Sequence, residues 1–144
     1  MPNLLVPDIA AAVRESKAKK IYICNVMTQP GETDGYSVSD HVRAINKHAG
    51  AEIIDFVLAN DGDIDTAILQ KYAALGAQPV RIDRKEAGES GAVIIRADLV
   101  DKEKGVIHDT KRLADVLFDL INAVRTDLSP EILHYYLKRY AIKR

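Results

Sequence analysis

The sequence predicts a single α/β domain, a Rossmann-like three-layer α/β/α arrangement around a mainly parallel sheet of about four strands. Two observations carry this expectation. Short β-branched apolar runs alternate with longer stretches that repeat apolar residues at helical spacing, the pattern of right-handed βαβ units. The 144 residues, 47% apolar and 28% charged, suffice for one core, and no repeat, low-complexity tract or linker divides them.

Each element has its own signature. Asn3 to Ala18 reads as a helix, with Pro7 in an early turn and Leu5, Ile9, Ala12 and Val13 on one face. Lys20–Met27 is the first strand. Ser37 or Ser39 caps a second helix that packs Val42, Ala44, Ile45 and Ala49 inward and stops at Gly50. Ile53–Ala59 is the second strand. Asn60-Asp-Gly-Asp then turns into a helix carrying Ile64, Ile68, Leu69, Tyr72 and Leu75, stopped by Gly76. Pro79–Asp83 reads as a short third strand, Arg84–Gly91 as a charged loop, and Ala92–Val100 as the fourth strand. After a polar turn at Lys102–Gly105, Asp109 caps a long helix with Leu113, Val116, Leu117, Leu120, Ile121 and Val124 at helical spacing. Ser129-Pro130-Glu131 starts a last helix, Ile132 to Ala141.

Bulk properties exclude several functions. The net charge of −1 provides no electrostatic footprint for nucleic acid. No apolar run approaches the roughly 20 residues of a membrane span, and the first residues lack a signal-peptide pattern. The single cysteine, Cys24, lies in an apolar strand, which fits a buried inert thiol and a cytoplasmic location. The chain opens on a helix and has neither G-x-G-x-x-G nor G-x-x-x-x-G-K-[ST]. The expectation is therefore the incomplete half of a larger domain, whose exposed apolar edge favours a homo-oligomer.

The most informative stretch is the loop after the first strand. Thr28-Gln-Pro-Gly-Glu-Thr-Asp-Gly-Tyr-Ser-Val-Ser-Asp-His41 places hydroxyls, an amide and carboxylates where a buried strand ends and a helix begins. Open parallel sheets bind ligands beyond the carboxyl ends of their strands, and helix starts favour anions. Asn25, Thr28, Gln29 and Thr33 suit hydrogen bonds to a base edge or ribose, Gly31 belongs to the turn, and Glu32 suits sugar hydroxyls or a cation. The competing reading is a turn that satisfies itself, with Ser37, Ser39 and Asp40 capping the helix. His41 is a phosphate contact, a proton carrier or a structural hydrogen-bonder. Asn60 sits at a strand's carboxyl end, in a stretch better read as a turn and helix cap than as a calcium loop. Tyr72 is either a stacking platform or part of a core stripe. His108 stands at a strand-to-helix junction, with Asp109 as the cap. No catalytic residue and no metal site is assigned.

The run Asn25-Val-Met-Thr-Gln-Pro-Gly-Glu-Thr-Asp-Gly-Tyr-Ser-Val-Ser-Asp-His41 closely resembles a signature of the bacterial gluconeogenesis-factor family, in the superfamily of 2-phospho-L-lactate transferase. Met1-Pro-Asn-Leu-Leu-Val is similar to the helix after that family's phosphate loop. Glu52–Asp83 is similar to its next strand–helix–strand unit, and His108-Asp109 to its late His-Asp pair. The resemblance implies the carboxyl-terminal half of a CofD-like fold over residues 1–144. It implies a regulator that binds nucleotide sugars such as UDP-N-acetylglucosamine and serves cell shape and cell-wall synthesis on gluconeogenic carbon. Two alternatives remain open. One is an enzyme moving a phospholactyl group from a guanosine-linked donor, with a divalent cation; the other is a non-catalytic assembly domain. Ile107 departs from the basic residue that relatives often carry before the His-Asp pair.

Overall fold

The computed structural model describes residues 2–83, 91–102 and 105–126. A 3-10 helix, Pro2–Leu5, leads into α1 (Pro7–Glu15). There follow β1 (Ile21–Ile23), α2 (Val38–Ala49), β2 (Phe56–Asn60), α3 (Thr66–Ala73), β3 (Val93–Ala97) and α4 (Thr110–Arg125). The sheet order is β1-β2-β3, and both pairings are parallel, with Ile21 opposite Phe56 and Leu58 opposite Ile95.

β2 sits centrally because both of its faces are apolar. Phe56 and Leu58 pack with Ile95 and Ala97 against Val116, Leu120 and Ala123 of α4. Val57 and Ala59 point the other way, to Cys24 and to Val38 and Val42 of α2. A strand covered on both faces reads as a continuous apolar run, as this one does. The result is the expected α/β/α layering. Leu58 is fully buried, and such a side chain contributes about 1.5–3 kcal/mol by burial.

The ends of the helices follow their sequence signals. Ser37 and Asp40 form a capping box on α2, and Gly50, at φ 72°, closes that helix in the left-handed region. Asp109 accepts from the N–H groups of Lys111 and Arg112 at the start of α4.

Several expectations are corrected. Among the described residues the sheet has three strands rather than about four, since Pro79–Asp83 makes only isolated bridges: Met27 with Pro79, antiparallel, and Ser37 with Arg81, parallel. Pro79 lacks an N–H for a ladder, and the segment divides its bonds between two partners. The expected helix Asn3–Ala18 is broken at Val6 (ψ 115°), because a residue before proline avoids the α region. Of the expected face, Leu5, Ile9 and Ala12 are exposed and Val13 packs inward, and Ala10 is buried as well. Leu75 lies beyond the end of α3 and is 64% exposed, and Ile121 faces outward from α4. The charged loop over 84–90 and the last helix, Ile132 to Ala141, lie outside the described residues.

Candidate functional site

The chain leaves β1 in extended form. Cys24 N–H still reaches Leu58 O, at 2.9 Å, and the chain then pairs with residues 78–80. Val80 N–H donates to Val26 O and Thr28 N–H to Gln78 O. The buried Thr28 Oγ1 accepts from Gln78 N–H at 2.9 Å. Burial pushes the Cys24 thiol up to about 12, so this sulfur is an inert packing group.

The following turn is largely closed on itself. Thr33 Oγ1 accepts from Gln29 N–H and Asp34 Oδ2 from Gly31 N–H, both at 2.8 Å. Gly31 takes φ 81°, a backbone conformation that favours glycine. Gln29 and Glu32 are exposed along this turn.

At the start of α2 the expected anion is supplied by the protein itself. Asp83 Oδ1 accepts from Ser39 N–H at 3.1 Å. Its Oδ2 lies 2.7 Å from Ser37 Oγ and in short contact with Ser39 Oγ. Burial raises the Asp83 carboxyl, but the two hydroxyls and the N–H outweigh it, and the net shift is downward. Asp40 is held at about 2, chiefly by the Ser37 N–H and hydroxyl. A ligand phosphate at this helix start would compete with two resident carboxylates.

His41 is 5% exposed, one turn into the same helix. Its Nδ1 is 2.9 Å from Ser37 O, which makes Nδ1 the donor. Tyr22 stacks on the ring at 6.2 Å between centroids, and Tyr36 meets it edge-on at 5.3 Å. His41 Nε2 is buried without a hydrogen-bond partner.

Asn60 is also committed to backbone. Its Oδ1 accepts from Leu99 N–H at 2.9 Å and Gly62 N–H at 3.2 Å, and its Nδ2 donates to Gly62 O at 3.1 Å. A β-carbon on Gly62 would collide with the Asp98 carboxylate, so a larger residue here requires that side chain to move. Asp65 caps α3 through Ala67 N–H, the arrangement expected of a turn and cap.

Among the described residues, two clefts lie beyond the carboxyl ends of the strands. One, of about 430 Å³, is lined by Asn25, Thr28, Gln29, Pro30, Tyr72 and His108, with Leu75 and Ile107 also on its walls. Thus Asn25, Thr28, Gln29, Tyr72 and His108, widely spaced in sequence, share one cavity. Tyr72 contributes to the cleft and also packs against the cluster of Val26, Met27, Ala77 and Val100. His108 Nε2, 3.2 Å from Cys24 O, ties the segment before α4 to the end of β1. The second cleft, of about 390 Å³, is lined by Asn60, Asp61, Asp63, Arg96 and Ile82, and shares Val26 with the first. Gly31, Glu32, Thr33 and His41 line neither cleft.

Sequence reasoning missed Leu75, which helical spacing assigned to the core, and the ion pair of Asp61 with Arg96 at 3.2 Å. A guanidinium at the carboxyl end of an otherwise apolar strand was the available signal for that pair. Among the described residues no helix is long and apolar enough to cross a membrane.

Comparison with known proteins agrees with this architecture. A family model described as 2-phospho-L-lactate transferase CofD matches residues 1–100. The gluconeogenesis factor of Bacillus subtilis is 48% identical over 122 residues, covering 84% of this chain and 38% of that protein. The gluconeogenesis factor of Halalkalibacterium halodurans is 40% identical over 120 residues, covering 83% and 37%. A crystal structure of a UPF0052-family protein from Bacillus halodurans superposes with a TM-score of 0.76 at 40% identity, covering 81% of this chain and 38% of that one. The chain therefore spans less than two fifths of the length of these relatives. The shared fold, the matched model and these identities establish that the chain belongs to the 2-phospho-L-lactate transferase CofD family, alongside the bacterial gluconeogenesis factors.

Proposed function

We propose that this chain is part of a non-catalytic regulator that binds a nucleotide sugar of the UDP-N-acetylglucosamine type and acts on cell shape and cell-wall synthesis during gluconeogenic growth. The observation that carries this is the convergence of Asn25, Thr28, Gln29, Tyr72 and His108 on one cleft at the rim of a parallel sheet. A flat aromatic, amides and a hydroxyl around apolar walls match a nucleobase, which is hydrophobic on its faces and polar at its edge. Relatives named gluconeogenesis factors support the link to gluconeogenic growth. Titration calorimetry tests the reading: saturable binding of UDP-N-acetylglucosamine without turnover is expected, and no heat with any uridine nucleotide contradicts it.

The name of the matching family model favours a second reading, a phospholactyl transferase using a guanosine-linked donor. It implies a divalent cation, yet among the described residues no group of three or more His, Cys, Asp or Glu side chains is arranged to hold one. Metal-dependent consumption of a guanosine-linked donor would establish that reading. Self-association is part of the same proposal. It is supported by the exposed apolar side chains of Leu5, Val6 and Ile9, and sedimentation velocity reads it directly.

A further inference from the structure

The two clefts differ in chemistry, and the difference assigns them different parts of one ligand. The first combines Tyr72, Met27, Pro30 and Leu75 with neutral amide and hydroxyl groups. The second holds Asp61, Asp63 and Arg96. Asp61 and Arg96 form an ion pair at 3.2 Å and are about three-quarters buried, at 25% and 28% side-chain exposure. Such a pair is held in place before any ligand arrives. Two carboxylates against one guanidinium leave the pocket negative, which disfavours phosphate. The same groups put acceptors and donors side by side, as a sugar hydroxyl requires, since it both donates and accepts. The clefts share one lining residue, Val26, whose carbonyl accepts from Val80 N–H.

Resting on the nucleotide-sugar reading above, we infer that the Asp61–Arg96 cleft is the subsite for the hydroxyl-bearing sugar, that the Tyr72 cleft takes the base, and that the ligand crosses at Val26. The sugar is then recognised by an ion pair that contributes nothing to holding the base.

The test compares UDP-N-acetylglucosamine with UDP on the 144-residue chain and its variants, by calorimetry. The expected result is that Asp61→Asn and Arg96→Gln weaken UDP-N-acetylglucosamine about tenfold or more and leave UDP unchanged, the scale of a lost hydrogen bond to a charged group. Tyr72→Ala weakens both ligands by the same factor. The Asp61 N–H donates to Ala97 O, and an isosteric Asn keeps that bond. Should either pair variant still fail to fold, Asp63→Arg places a bulky cation at an exposed position of the same cleft and is expected to give the same selective loss. Equal weakening of both ligands by Asp61→Asn, or by Asp63→Arg, overturns the subsite assignment while leaving the nucleotide-sugar reading intact. Absence of binding by either ligand to the unsubstituted chain overturns that reading and the assignment with it.

Discussion

The polar stretch from Thr28 to His41 behaves differently at its two ends. At the helix end, Ser37, Ser39 and Asp40 bond to one another and to Asp83, and His41 is buried between Tyr22 and Tyr36. At the strand end, Thr28 and Gln29 face a cleft together with Asn25, Tyr72 and His108. Both ends bond to the protein itself, Thr28 to Gln78 and Ser37 and Ser39 to Asp83, yet only the strand end also lines an open cavity. Polar richness in a loop locates a strand-to-helix junction. The segment 78–83 returns to both ends, and what distinguishes them is whether it leaves open space beside the polar groups.

Removing that distant segment's carboxylate has the largest expected effect. Asp83→Ala leaves the Ser37 and Ser39 donors without their anion and is expected to destabilise the fold by about 1.5–3 kcal/mol in urea unfolding. It leaves nucleotide affinity of the folded protein unchanged; a parallel loss of affinity would show that the two ends form one site. Acid acts on the same anchor. The folded Asp40 value of about 2 is below its ordinary 3.8, and Asp83 is also lowered. Their stabilisation is therefore complete above about pH 4 and lost as the pH falls toward 2, and a series of urea melts at falling pH measures it.

Tyr72→Ala is expected to raise the dissociation constant for UDP about tenfold or more, the scale on which stacking of a base on an aromatic ring contributes (about 1–3 kcal/mol). Ser37→Ala removes a helix cap and is expected to cost about 1 kcal/mol. That cost should shrink in an Asp83→Ala background, as a double-mutant cycle would record for two members of one network. Gln29→Ala is the counterpart at the other end. Its stability change should stay within about 0.5 kcal/mol, while nucleotide affinity falls several-fold, as for one neutral hydrogen bond of about 0.5–1.5 kcal/mol.

Much of the fold was legible because local chemistry and tertiary packing agree. The apolar run expected at Ile53–Ala59 holds the buried central strand, Phe56–Asn60; Ser37 and Asp109 cap through their side chains, and Gly50 through its left-handed backbone. Errors arose where local pattern met a tertiary constraint. Pro79–Asp83 has strand composition, but its bonds are shared between Met27 and Ser37 and form no ladder. Helical spacing carried one face through Pro7, but the helix breaks at Val6, and of that face Val13 packs inward while Leu5 and Ile9 are exposed. For the cleft, sequence could nominate Asn25, Thr28, Gln29, Tyr72 and His108 but could not show that α3 and the segment before α4 bring the last two beside the first three. Nor could it show that Asn60 is consumed by Gly62 and Leu99, because only the fold puts those N–H groups within reach of its amide.

Mapping of amide chemical shifts during titration with UDP-N-acetylglucosamine examines the account most directly, since it reads every backbone site at once. The prediction is saturable shifts concentrated at residues 25–30, 72–77 and 106–108, with the amides of Ser37 to Asp40 nearly still. Shifts centred on Ser37 to Asp40, or spread over the surface without saturation, would contradict it.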